Sequence, residues 1–193
     1  MHRMSPLSND DRRALLNLAR RAISTAIIEK QIPDFQAYSA SLTESAGAFV
    51  TLHQNGLLRG CVGQVESTYS LAETVARAAI SAALHDSRFP PVDPDEIPSL
   101  EIEISVLSVP EPISPEAIVV GCHGLVIEKG ANRGLLLPQV ASERRWTSQR
   151  FLEETCVKAG LPRDAWSDPS TRILAFSAEV FSDTNVKVFS GSE

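Results

Sequence analysis

Asn55-Gly56 stands between two runs of strand-forming residues, and this pair constrains the fold more than any other feature of the chain. A type I′ turn requires positive φ at both central residues, and Asn-Gly meets that requirement at little steric cost. Ala48-Phe49-Val50-Thr51-Leu52-His53 forms one arm and Leu57-Leu58-Arg59-Gly60-Cys61-Val62-Gly63 the return. In a regular two-residue hairpin, Cys61 faces Val50 and Arg59 faces Leu52.

Helical and strand patterns alternate irregularly around this hairpin. Ser8 is a candidate N-cap with Asp10 and Asp11 in the first turn, and Leu15, Leu18, Ala19, Ala22, Ile23, Ala26 and Ile27 form an apolar stripe. Pro33 is expected to end that helix, and residues 34–47 read as irregular. A second helix opens at Ser70, with Glu73 completing a capping box and Leu71, Val75, Ala78, Ala79 and Ala82 facing inward. Pro90, Pro91, Pro94 and Pro98 then predict a stiff, non-helical connection.

Glu101 to Ser108 alternates as a half-solvated strand. Leu125-Val126-Ile127 and Leu135-Leu136-Leu137 flank residues 130–134 as a second hairpin. A third helix starts after Thr147, with Trp146 and Phe151 as a hydrophobic staple, Cys156 and Ala159 on the apolar face, and Gly160 at its left-handed end. Ile173 to Phe181 reads as one last strand, with Leu174, Phe176, Ala178 and Val180 on one side. Without regular βαβ alternation the fold class is α+β rather than doubly wound. The 193 residues suit a single domain, with a core from about residue 8 to 189.

The net charge of −6 gives no global basic field to draw the protein to nucleic acid or anionic lipid. No apolar run is long enough to span a bilayer, and the opening residues lack a secretory pattern. Three cysteines, at 61, 122 and 156, form no C-x-x-C pair. Free thiols in a reducing, cytoplasmic compartment are therefore expected.

Cys156 reads as a small buried hydrophobe on its helix. Cys61 has two readings. With Arg59 two residues away on the same strand face, a guanidinium could stabilise a thiolate, and Gly60 and Gly63 leave room for a ligand or another backbone. Opposite Val50, the same thiol would simply be packed.

His123 is a candidate base for a thiol. With His53 and His85 it could join a Cys/His metal site, but the spacing matches no zinc pattern, so no metal ligands are assigned. No G-x-G-x-x-G or P-loop motif is present, so a nucleotide site has no support, and the cofactor is unknown from the sequence. Arg88-Phe89-Pro90-Pro91 is either a rigid loop offering Arg88 to an anion or a proline stop. Glu143, Arg144 and Arg145 beside Trp146 are either a recognition patch or a solvated approach to a helix.

Leu58-Arg59-Gly60-Cys61-Val62-Gly63 resembles the LRGCIG signature of the AMME-syndrome-candidate (AMMECR-type) domain family, with Val62 in place of Ile. Arg88-Phe89-Pro90-Pro91 is similar to that family's D-P-R-F-P-P loop, and residues 100–108 to its alternating strand. Residues 123–130, the run Leu136-Leu137-Pro138-Gln139-Val140, and Glu143 with Trp146 fit in order. Ser87, where the family often carries Pro, and Gln64, where Thr is common, depart from it.

The resemblance implies a two-lobed α+β domain with a mainly antiparallel sheet flanked by helices, and the signature near a cleft between lobes. It also implies association with Memo-type and radical SAM proteins, and it carries no agreed reaction. Two functions follow as expectations. One is a thiol-dependent enzyme using Cys61, Arg59 and His123. The other is a non-catalytic module binding a small molecule, peptide or protein through Gly60, Gly63, Arg88, Gln139, Glu143 and Trp146.

Overall fold

The computed structural model describes residues 6–31 and 39–185, which divide into two compact units. The first holds the described residues up to Leu107 together with those from Glu179 onward; the second is Ser108–Ala178. Pro33 lies outside the described residues.

In the first unit, helix α1 (Asn9–Ser24) begins as a capping box between Ser8 and Asp11. It continues as a π-helical stretch, Thr25–Glu29, and closes on Lys30 with φ 57. Its stripe is buried as expected, widened by Leu16, while Ala26 is only half-buried. One turn of helix, α2 (Ala40–Thr43), interrupts the stretch read as irregular.

Strands β1 (Ala48–Gln54) and β2 (Leu57–Gln64) form the hairpin, with Asn55 at φ 53 and Gly56 at φ 75. Helix α3 (Leu71–Leu84) is capped by Ser70, whose hydroxyl accepts from the Glu73 amide. The reciprocal half of the expected box is not made, because the Glu73 carboxylate pairs with Arg77 one turn on. The proline connection is not wholly non-helical: Asp93 caps a 3-10 helix, Pro94–Ser99, whose Glu96 returns a bond to the Asp93 amide.

Strand β3 (Leu100–Leu107) completes the center of a sheet ordered β2-β1-β3-β8, with β8 at Ala178–Ser182. Both β2 and β3 run antiparallel to β1. Ala48, Val50, Leu52, Ile102 and Ile104 turn toward α1 and α3 and are fully buried with them. Each valine, leucine or isoleucine among them contributes about 1.5–3 kcal/mol when withdrawn from water. The strand predicted as half-solvated is so only at its start, since Ser105 to Leu107 are buried on both faces.

The second unit carries a sheet ordered β4-β7-β5-β6, from β4 (Glu111–Pro112), β5 (Gly124–Lys129), β6 (Asn132–Leu136) and β7 (Arg172–Phe176). The β5–β6 hairpin is tighter than expected: Lys129 faces Asn132 across Gly130-Ala131. Helix α4 (Pro138–Glu143) was not expected. Helix α5 (Ser148–Lys158) starts at Thr147 and ends through Gly160 at φ 73 as expected, burying Phe151, Leu152 and Cys156 in this unit's core.

The last strand is two strands, not one. The break at Ser177 puts β7 in the second unit's sheet and β8 in the first unit's. Phe181 is buried while Val180 is 38% exposed, so the predicted alternation changes phase after Phe176.

Candidate functional site

The hairpin register departs from the regular one at the signature. His53 faces Leu58, but Leu52 faces Gly60, which leaves Arg59 as the extra residue of a β-bulge. Cys61 consequently faces Thr51 rather than Val50.

That shift separates Arg59 from the thiol it was expected to serve. Its Nε donates to Glu96 Oε1 at 2.8 Å and its Nη2 to Glu96 Oε2 at 2.9 Å, a bidentate fork. Nη1 and Nη2 also donate to the carbonyls of Pro90 and Pro91. The side chain is 13% exposed. Glu96 raises the guanidinium's pKa, and Arg59 in return holds the Glu96 carboxyl below its usual range. Arg59 is thus a strut that fastens the proline turn to β2.

Cys61 is half-buried, and the Thr51 hydroxyl donates to its Sγ at 3.2 Å. Its backbone N–H donates to Asp86 Oδ2 at 2.8 Å, and its carbonyl accepts from Arg88 Nη2 at 3.3 Å. Both backbone groups are thus engaged on the outer side of β2, away from β1. Thr51 and Cys61 therefore form a pair without mutual backbone bonds, the arrangement in which facing side chains come closest.

Asp86 is the hub of this edge. Its carboxylate is 6% exposed and accepts from the amides of Cys61 and Arg88 and from Arg88 Nε and Nη2. The Arg88 guanidinium, against the cost of burial and helped by the two amides, holds the Asp86 carboxyl far below the usual carboxylate range. The Arg88 side chain is 55% exposed and lies over the Phe89 ring at 5.5 Å from its centroid. Its pKa is raised by Asp86 first, with a smaller contribution from Cys61.

The sheet face away from α1 and α3 carries a row of polar groups. Thr51 faces Cys61 on one side and Glu103 on the other, and His53 faces Glu101. All five are exposed or half-buried. His53 follows Thr51 on the same face of β1, with the bulge at Arg59 between its partner Leu58 and Cys61.

Gly60 and Gly63 make room for protein rather than ligand. A Cβ on Gly60 would run into the Ala82 carbonyl of α3, and one on Gly63 into the Ala48 carbonyl and the Phe49 ring.

The remaining predicted residues lie in the second unit. His123 is half-buried, and its Nδ1 accepts from the Val119 amide at 3.2 Å, which places the neutral ring's proton on Nε2. Gln139 is half-buried on α4, and Glu143 is the exposed last residue of that helix. Trp146 packs on the core of this unit with Arg144 over its ring at 5.3 Å. Cys122 is exposed; Cys156 is buried, and desolvation pushes its thiol upward.

Among the described residues, no group of three or more His, Cys, Asp or Glu side chains is gathered to hold a metal ion, and no helix is long and apolar enough to cross a membrane. The sequence alone did not single out Asp86, Thr51 or Glu103. For Asp86 a signal existed, an aspartate two residues before Arg88 at the end of a helix. For Thr51 and Glu103 none did, since their place depends on the bulge and on strand pairing.

A family model described as AMMECR1 matches residues 16–181. A curated protein of Methanothermobacter thermautotrophicus is 43% identical over 191 residues, covering 92% of this chain and 96% of that protein. Protein TK0174 of Thermococcus kodakarensis is 44% identical over 181 residues, 88% of each chain. The crystal structure of uncharacterized protein PH0010 from Pyrococcus horikoshii is similar with a TM-score of 0.86 at 41% identity, covering 91% of this chain and 93% of that one. With a match over most of its length and relatives this similar, the chain belongs to the AMMECR1 family.

Proposed function

We propose that Cys61 is the working group of a cytoplasmic enzyme, a nucleophilic thiol that attacks an electrophilic substrate. The observation that carries this reading is the Thr51 hydroxyl aimed at Sγ from 3.2 Å, on a cysteine whose backbone is pinned from outside by Asp86 and Arg88. A fixed donor to sulfur and a fixed main chain are the preorganisation a nucleophile needs. The half-buried Sγ gives its proton to solvent, leaving the electron pair on sulfur. The test is the alkylation rate of each cysteine against pH, followed by mass spectrometry on the native protein with buried Cys156 as the control. Fast reaction of Cys61 below neutral pH supports the reading, and inertness until denaturation ends it.

Association with Memo-type and radical SAM proteins, implied by the resemblance, is the proposed setting. Affinity capture with those two purified proteins tests it, and capture of neither removes it.

A non-catalytic binding role is the second reading, favoured by the half-exposed guanidinium of Arg88 at the same edge. It requires that Cys61→Ser leave function in the partner pathway intact while Arg88→Ala impairs it.

A further inference from the structure

We infer that the molecule Cys61 attacks carries a small anionic group, carboxylate or phosphate, and that Arg88 binds that group beside the thiol. The inference rests on the thiol reading above and names its substrate class.

Arg88 reaches Cys61 directly, donating from Nη2 to its carbonyl at 3.3 Å, and the two are close enough for a charge on Cys61 to act on the guanidinium. The Asp86 partner does not cancel the outward charge. Its carboxylate is buried behind the guanidinium, and its oxygens are occupied by Nε and Nη2 of Arg88 and by two backbone amides. Among the described residues Nη1 has no hydrogen-bond partner, on a side chain more than half exposed. The ion pair is therefore oriented with its positive end toward solvent.

Four acids of this unit are engaged or placed elsewhere. Glu96 is engaged by Arg59 through both oxygens. Asp93 lies on the Arg59 side of the turn, where its charge acts on that guanidinium. Glu101 and Glu103 stand on β3, two strands inward from β2, whereas Arg88 approaches from the outer edge. Phe89, under the guanidinium at 5.5 Å, limits its swing. On a chain of net charge −6, a fixed cation at the edge of the thiol selects which electrophiles approach.

Iodoacetate and iodoacetamide deliver the same carbon to sulfur, each forming one S–C bond and releasing iodide, but only the first is an anion. The rate ratio of the two reagents is measured at Cys61 and, in the same molecule, at exposed Cys122. The expected ratio at Cys61 exceeds that at Cys122 by about fivefold at low salt, the size expected of one partly solvated charge at close range. It collapses in Arg88→Gln and, for the unaltered protein, in molar salt, where the Debye length is about 3 Å. The salt arm keeps the test valid if the variant disturbs the edge.

A ratio at Cys61 no greater than at Cys122, or one indifferent to both Arg88→Gln and salt, overturns the inference while leaving a reactive thiol in place. Inertness of Cys61 to both reagents overturns the thiol reading instead. Acetate and inorganic phosphate, compared at equal ionic strength as protectants against iodoacetate, decide between carboxylate and phosphate, and protection by neither overturns the inference.

Discussion

The backbone amide of Cys61 donates to the buried carboxylate of Asp86 at 2.8 Å, so the main chain at the thiol is held by a side chain 25 residues away rather than by a neighboring strand. Breaking that contact leaves two backbone amides and a guanidinium without their acceptor. Asp86→Asn, which offers one carbonyl oxygen in place of two charged ones, is expected to destabilise the first unit by about 2 kcal/mol. Chemical denaturation of both proteins checks this.

The same carboxylate sets an acid limit. Its folded pKa lies below the unfolded value of about 3.9, so its contribution is complete above that value and is lost as pH falls toward the depressed one. Glu96, lowered by Arg59, adds loss in the same direction. Unfolding free energy is expected to decline as pH is taken below about 4, and the slope to be shallower in Asp86→Asn.

Gly60 lies where the chain passes under the carbonyl of Ala82, with no space for a methyl group. In Gly60→Ala either β2 or the end of α3 must move, at a cost of about 3 kcal/mol by the usual scale for overfilled cores. Because Asp86 follows α3 by two residues, the same displacement is expected to loosen the Cys61 amide. Faster hydrogen exchange at that amide, seen by NMR, is the measurement; unchanged exchange with full stability would show that the backbone yields freely.

Most elements were legible because their signals are local. The Asn55-Gly56 turn, the caps at Ser8 and Thr147 and the stripe of α1 depend on residues a few positions apart. The site was legible only to its approximate place. A bulge at Arg59 changes which residue faces Cys61, and nothing in Leu57-Leu58-Arg59 announces it, since the bulge answers to Glu96 and the Pro90 and Pro91 carbonyls far along the chain. The single strand read from Ile173 to Phe181 failed for a related reason. Leu174, Phe176 and Ala178 keep period two straight across Ser177, and only the burial of Phe181 beside exposed Val180 betrays the change of sheet.

Arg145 holds a left-handed conformation, φ 53, where helix ends usually place glycine. Its amide donates to the Ser142 carbonyl at 3.1 Å and that of Trp146 to Ala141 at 2.9 Å, the paired bonds of a Schellman ending on α4. The strain of a side chain there outweighs the entropy glycine adds to the unfolded chain, so Arg145→Gly is expected to stabilise the second unit by about 1 kcal/mol. Thermal unfolding should show a rise of about 2–4 °C in the transition that exposes Trp146.

Thr51 offers the cleanest separation of chemistry from packing at the site. Valine has nearly the same shape, so Thr51→Val should leave β1 in its register between β2 and β3 while removing the hydroxyl that donates to Sγ. One such bond is worth about 1 kcal/mol, and its loss is expected to slow alkylation of Cys61 at neutral pH by about fivefold. Cys122, exposed in the second unit, should react at its original rate and so reports any general change in reagent or fold. Equal slowing at both cysteines would point to a reagent effect, and no slowing at Cys61 would mean that the Thr51 hydroxyl serves the sheet rather than the thiol.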